Sequence, residues 1–210
     1  MTIGISIPTY NGHIKYLNGL LEQISKSTIL PKQVSVSISS FDGDLQFEDY
    51  PFELIVTKTS DFKNPSENRN IAASKLTTDI ISFIDGDDLP HIKRNEYLLK
   101  SFELGSKIIV HHYEMGMSSQ NNYDVPIDDL ILFPEHIDTY VNDKHYPESS
   151  KGTVGYHNAH ITLLKNVFDK FKYDENPEFF KIEDSVFTSR LVKNGFKLCY
   201  IPNKLSFYRQ

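Results

Sequence analysis

Residues 81–90 read ISFIDGDDLP, in which apolar Ile81, Phe83 and Ile84 lead straight into Asp85, Asp87 and Asp88. So apolar a run predicts a strand covered on both faces, as in a parallel sheet. Three carboxylic acids within four residues at its carboxyl end repel one another, and burying even one unpaired charge is costly, so a cation or donors should stand nearby. Hard oxygen ligands suit Mg²⁺ or Mn²⁺, ions that keep waters and share substrate phosphates. The stretch therefore predicts a metal and diphosphate station. The competing reading is a solvated acidic turn in which Asp88 caps a helix beginning near Pro90.

Outward from this stretch, β and α signals alternate. TIGISIP places Ile3, Ile5 and Ile7 on a strand, and IKYLNGLLEQISKS spaces Leu17, Leu20, Leu21 and Ile24 for a helix. KQVSVSISS and FELIVTK read as two more strands. NPSENRNIAASKLTT opens a helix at Pro65 and Ser66, with Glu67 at its positive end. Beyond Pro90, HIKRNEYLLKSFELG is a helix stopped by Gly105, and SKIIVHHYEMG is a strand. The pattern predicts an α/β fold, a central mostly parallel sheet flanked by helices on both faces. Met115 to Ser150 is irregular and reads as substrate-shaping loops. After it come a strand and short helix in VGYHNAHITLLKNVFDKF, a helix ending at Gly195, and a final strand in FKLCYIP.

Composition bounds the function. At 210 residues, 39% hydrophobic and 24% charged, the chain fits one ordinary domain. A net charge of -6 argues against nucleic acid as partner, because phosphate-backbone binders need clustered Lys and Arg. Cys199 is the single cysteine, so a reducing compartment, the cytoplasm, is expected. No segment has the signature of a signal peptide or the apolar length of a membrane span.

SIPTYN, SENRNIAAS, FIDGDD and IEDSVFTSRLVKNGFKLCYIP, in this order and spacing, resemble family 2 glycosyltransferases of the GT-A fold. The resemblance spans most of Ile3 to Arg209 and is weakest from Met115 to Ser150. It implies a GT-A glycosyltransferase: a metal-dependent, inverting enzyme that moves a sugar from a nucleotide-diphosphate donor, UDP-linked by expectation, to a hydroxyl of a glycan or glycoconjugate. Residues 1–114 would form the nucleotide-sugar-binding half and 115–210 the acceptor-binding half, with the whole a domain of a longer multidomain transferase.

Carried onto this sequence, the resemblance assigns Asp85 to the ribose side of the donor and to the metal set, and Asp87 to the Mn²⁺ or Mg²⁺ ion itself. Gly86 belongs to the same donor-binding turn, and Asp88 supports it or caps the next helix. Pro8, Thr9 and Tyr10 would lie along the nucleotide base, Tyr10 being otherwise an ordinary strand-end aromatic. Arg69, beside Asn70, would face the diphosphate, a salt bridge to Asp85 or Asp88 being the structural alternative. Asp184 would be the general base that takes the acceptor proton, with Glu183 positioning acceptor or base; the alternative is a pair of acids in an exposed first helical turn.

Two departures stand out. Where the family commonly ends its second strand with two Asp residues that recognise uracil, this chain has SISSFDGD, leaving Ser39 and Ser40 to substitute. Where the family brings a C-terminal His to the metal or diphosphate, this chain ends in SFYRQ, so Arg209 is expected at the phosphate and His160, ahead of His157, at the metal. Two other functions stay open: a nucleotide-sugar-binding module without turnover, and a nucleotidyltransferase, for which PTYNGHIKYL is poor in Gly and basic residues.

Overall fold

The computed structural model describes residues 1–116, 122–133 and 161–209. Strands β1 (Ile3–Tyr10), β2 (Gln33–Ser39), β3 (Glu53–Lys58) and β4 (Ile80–Phe83) are joined by helices α1 (Ile14–Ser25) and α2 (Pro65–Ser74). A two-residue strand β5 (Leu89–Pro90) precedes α3 (Arg94–Glu103) and β6 (Ile108–Gly116). The chain closes with β7 (Ile161–Leu164), α4 (Lys165–Lys170), α5 (Glu183–Lys193) and β8 (Cys199–Arg209). Among the described residues these strands form one sheet in the order β3-β2-β1-β4-β7-β6-β8-β5. The pairs within β3-β2-β1-β4 and between β6 and β8 are parallel, while β7 and β5 run antiparallel to their neighbours.

Helices cover both faces, as the alternating signals predict. The α1 stripe of Leu17, Leu20, Leu21 and Ile24 packs on Ile5, Ile7, Val34, Val36 and Ile38. Burying each such side chain stabilises by roughly 1.5–3 kcal/mol. On the same face α3 sets Tyr97, Leu98 and Phe102 against Ile80, Ile109 and Ile201. The opposite face carries Ala73 of α2, Phe168 of α4 and Phe187 and Leu191 of α5 around Ile81, Phe83 and Val110. All four residues of β4 are buried, which accounts for apolar side chains on both of its faces.

Both glycine stops hold. Gly105 and Gly195 have φ of +99° and +82°. After α5, Phe196 N–H donates to Leu191 O and Gly195 N–H to Val192 O; after α3, Ser106 N–H donates to Ser101 O and Gly105 N–H to Phe102 O. Both helices thus end in the same double-bonded left-handed cap, which satisfies their last carbonyls.

Three features differ from the sequence reading. The final strand runs on from FKLCYIP to Arg209, paired with β6 through two register shifts at His111–Tyr113. Asp88 is no helix cap: α3 starts at Arg94 behind Lys93, and Asp88 is 1% exposed. Residues 122–133, expected among substrate-shaping loops, serve as core cover, with Tyr123 against Leu89 and Phe207 and with Ile127, Leu130 and Leu132 beside α3 and β8.

Candidate active site

The site lies beyond the carboxyl ends of β1 and β4, where ligands of open α/β sheets bind. Ile84 N–H donates to Ser6 O and Gly86 N–H to Pro8 O, so the chain after β4 stays stitched to β1. Asp88 N–H then donates to Asp85 O at 3.0 Å, closing a tight turn that fans out the three acids. Gly86 is required here: a Cβ on it would lie 2.4 Å from Thr9 Oγ1 and 3.3 Å from the Pro8 carbonyl oxygen.

Helix α2 supplies the site's cation. Asn64 and Glu67 form a reciprocal capping box and Pro65 occupies the first turn, which fixes where the helix begins. Three successive residues then bind three segments. Asn68 Nδ2 donates to Thr9 O at 2.7 Å, and Asn70 Nδ2 donates to Tyr173 O at 2.9 Å. Arg69, 6% exposed, reaches Asp85 Oδ1 at 2.9 Å through Nη2 and Glu183 Oε1 at 2.9 Å through Nη1. Burial works against its charge, but Asp85, Tyr173, Glu183 and Asp184 outweigh that and hold the guanidinium above its ordinary range. The structural alternative for Arg69 is thus realised with Asp85, and Glu183 joins it.

The three acids of the turn have different surroundings. Asp85 gives both oxygens to Arg69 Nη2, at 2.9 and 3.2 Å. Asp87 lies at the cleft, its Oδ2 3.3 Å from His13 Nδ1. Asp88 is sealed beneath, its Oδ1 accepting from Arg209 N–H at 3.3 Å. Burial, then the charges of Asp85 and Asp87, push its carboxyl well above the usual range.

These groups wall a cleft of about 480 Å³ whose lining includes Tyr10, His13, Phe62, Asp87, Phe180 and Tyr208. Pro8, Thr9, Arg69, Asp85 and Gly86 line it too, so that part of the expected set is brought together. Ser39 and Ser40 are outside the lining: Ser39 Oγ accepts from Lys63 N–H at 2.8 Å, and Ser40, with φ of 57°, donates its N–H to Asp61 O. Glu183 and Asp184 stand behind Arg69 in the first turn of α5, where Asp184 Oδ1 accepts from Ser185 N–H at 2.8 Å. Arg209 sits at the end of β8 with its guanidinium 4.7 Å from the centre of the Tyr16 ring. His157 and His160 lie outside the described residues.

Sequence reasoning missed His13, Phe62, Lys63, Asn68, Phe180 and Tyr208, which also line the cleft. Asn68 and His13 were within reach, since Asn68 lies inside SENRNIAAS and His13 just after SIPTYN. Phe62 and Phe180 sit in loops, where no periodicity assigns a direction.

Unpartnered polar atoms gather here. Thr9 Oγ1, Asn68 Oδ1, Arg69 Nε, Asp88 Oδ2 and Glu183 Oε2 are buried without a hydrogen-bond partner among the described residues. Native interiors seldom leave such atoms unmatched, and these five lie under or beside the cleft. A second cavity of about 450 Å³ opens at the amino ends of β6 and β8, beside Lys107, Lys197 and Cys199, and gathers no comparable set of acids.

The model of the family described as glycosyl transferase family 2 matches residues 5–170. The chain belongs to glycosyl transferase family 2, and its fold is GT-A. Among solved structures it is similar to S. aureus TarS 1-349 in complex with UDP, at 18% identity and a TM-score of 0.66 over 100% of this chain and 61% of that one. It is likewise similar to TarS 1-349 in complex with UDP-GlcNAc, at 17% identity and a TM-score of 0.69, covering 100% of this chain and 59% of that one. Against S. aureus TarS itself the figures are 19% and 0.66, with 37% of that chain covered. No curated protein matches the sequence. This chain spans less than two thirds of each of these TarS chains.

Proposed function

We propose that the cleft transfers a glycosyl group from a UDP-linked donor to a hydroxyl of a glycan or glycoconjugate, with inversion and with a divalent cation at Asp87. The observation that carries this reading is the arrangement at the end of β4: Asp85 and Glu183 locked on the buried Arg69, and Asp87 at the cleft beside an exposed Tyr10. Family membership and the UDP and UDP-GlcNAc complexes of TarS support the donor class.

A hard cation fits the donor chemistry. Asp87 offers a carboxylate oxygen at the cleft, and ions such as Mg²⁺ or Mn²⁺ are commonly held by one or two carboxylates plus substrate phosphates. When bound, such an ion supplies charge stabilisation for the departing diphosphate. The chain's own residues do the rest. Tyr10 and Thr9 line the base and ribose end, and Asp85, fixed by Arg69, accepts from ribose hydroxyls. Arg69 adds a permanent positive charge behind the diphosphate, and Arg209 adds another at the end of β8. Asp184 takes the proton of the acceptor hydroxyl as its oxygen attacks the anomeric carbon and the bond to the diphosphate oxygen breaks. Glu183, held by Arg69, sets the position of that first turn of α5. Asp88 supports the turn from below, and Gly86 lets it approach Thr9. On this reading residues 1–114 hold the donor, and residues 115–210 supply the acceptor side through Phe180, Glu183 and Asp184. No helix among the described residues is long and apolar enough to cross a membrane.

The test separates chemistry from binding. Asp184→Asn should leave UDP affinity in the presence of Mn²⁺ within about twofold and lower UDP release from a UDP-sugar by about 100-fold or more, the upper range for a general base. Equal turnover by the variant would remove Asp184 from the mechanism, and absent turnover by both proteins across acceptors would favour a binding module.

A further inference from the structure

Resting on the reading above, we propose that His13 is a ligand of the divalent cation, its Nδ1 sharing the ion with Asp87 Oδ2. The two atoms lie 3.3 Å apart, longer than a typical charged N–H···O bond of about 2.7–2.9 Å. The separation is close to that of adjacent ligands on an octahedral ion, about 3 Å for metal–ligand bonds of about 2.1 Å.

The imidazole is held in place by its neighbours. Its ring packs 4.3 Å from Tyr10 and 6.0 Å, edge-on, from Tyr16. Gly12 makes the first contact available: a Cβ there would lie 2.5 Å from Cε2 of Tyr10, so only the bare backbone lets that ring fold back. His13 lines the same cleft as Asp85, Asp87 and Thr9. Thr9, 4% exposed, packs its side chain against Gly86 beneath this wall. These two ring contacts limit the conformational entropy that ligation would cost.

The composition of this shell has two consequences. Asp85 is committed to Arg69, and no group of three or more His, Cys, Asp or Glu residues suited to an ion exists among the described residues. Asp87 and His13 alone leave most positions to phosphate oxygens and water, so the ion binds with the nucleotide diphosphate and weakly without it. An imidazole nitrogen also favours Mn²⁺ over Mg²⁺, which prefers an all-oxygen shell.

The experiment is pulsed electron paramagnetic resonance on Mn²⁺ with UDP and the full chain, comparing wild type, H13A and H13F. Phenylalanine keeps the ring packing with Tyr10 and Tyr16 and removes the nitrogen. Wild type should show ¹⁴N coupling from a directly bound imidazole. Both variants should lose it, and their Mn²⁺ affinity in the presence of UDP should fall by about tenfold or more. A wild-type Mn²⁺·UDP complex without ¹⁴N coupling, or coupling that persists in both variants, overturns the role of His13 while leaving the metal and donor assignment standing. Failure of wild type to bind Mn²⁺ with UDP would instead overturn that assignment and His13 with it.

Discussion

Arg69 is the residue on which the acids of the cleft depend. It is 6% exposed and bonds Asp85 and Glu183 together, so removing it leaves two carboxylates facing each other with no counter-charge. Breaking a buried pair from one side typically costs about 3–5 kcal/mol. Arg69→Met should therefore lower stability by about that amount, read from chemical denaturation, and weaken UDP binding as well. Asp88 behaves oppositely. Burial and the charges of Asp85 and Asp87 raise its carboxyl pKa, so its stability contribution is present below the ordinary carboxylate range and is lost as pH rises through the raised value. Asp88→Asn keeps an acceptor for Arg209 N–H without the charge. The variant should be at least as stable as wild type at pH 7, with a flatter melting-temperature profile above about pH 4. Both effects were half legible. The acids were plain in FIDGDD and the cation in SENRN, but which acid goes under the sheet depends on β8 reaching Arg209, a partner 121 positions away.

At the scale of elements, the signals that proved readable were local ones. Apolar spacing located α1, an apolar run located β4, and Gly105 and Gly195 ended their helices because only a glycine adopts those positive φ angles without strain. Gly195→Ala should cost about 1 kcal/mol, and Asn64→Ala, which removes the cap of α2, about the same. The two differ in outcome: Asn64→Ala should also impair donor binding, since α2 carries Arg69, while Gly195→Ala should leave it unchanged. Thermal melts paired with UDP titrations check this. What sequence could not show was long-range pairing. The run from Cys199 to Arg209 alternates Leu205 and Phe207 inward, but Pro202 and the register shifts opposite His111–Tyr113 break its pattern, so FKLCYIP read as complete. Residues 122–133 read as loop because Met115 to Ser150 is rich in Asn, Asp, Pro and Ser, and the apolar pattern that DDLILFPEHIDTYV keeps within it proved, at Leu130 and Leu132, to be core cover.

Across the whole molecule, a polar network inside the core links the site to the fold. Arg94, 1% exposed, donates to His111 Nε2 at 3.0 Å, Ser82 Oγ at 2.7 Å and the Phe83 carbonyl oxygen at 2.9 Å. Burial lowers the Arg94 pKa to about 9, partly countered by Asp88. Burial and then the Arg94 charge hold His111 well below its ordinary value. For a group whose folded pKa is depressed, the unfolded chain takes up the proton first on acidification. Stability should accordingly fall as pH drops below about 6.5, and H111Q, which keeps an acceptor without a titrating ring, should flatten that slope in a denaturation series. None of this network was visible in sequence, because it joins residues of β4, α3 and β6 that only the folded sheet brings together.

The central claim is that the turn after β4 holds a nucleotide diphosphate through a cation at Asp87. Its most direct test is the melting temperature of wild type and Asp87→Ala with UDP, with and without Mn²⁺. A ligand at about 100 times its Kd stabilises the folded state by about 2.7 kcal/mol, an increase of several degrees. The account predicts that increase for wild type only when UDP and Mn²⁺ are both present, and its loss in Asp87→Ala. An equal increase in the variant, or none in wild type, would contradict it.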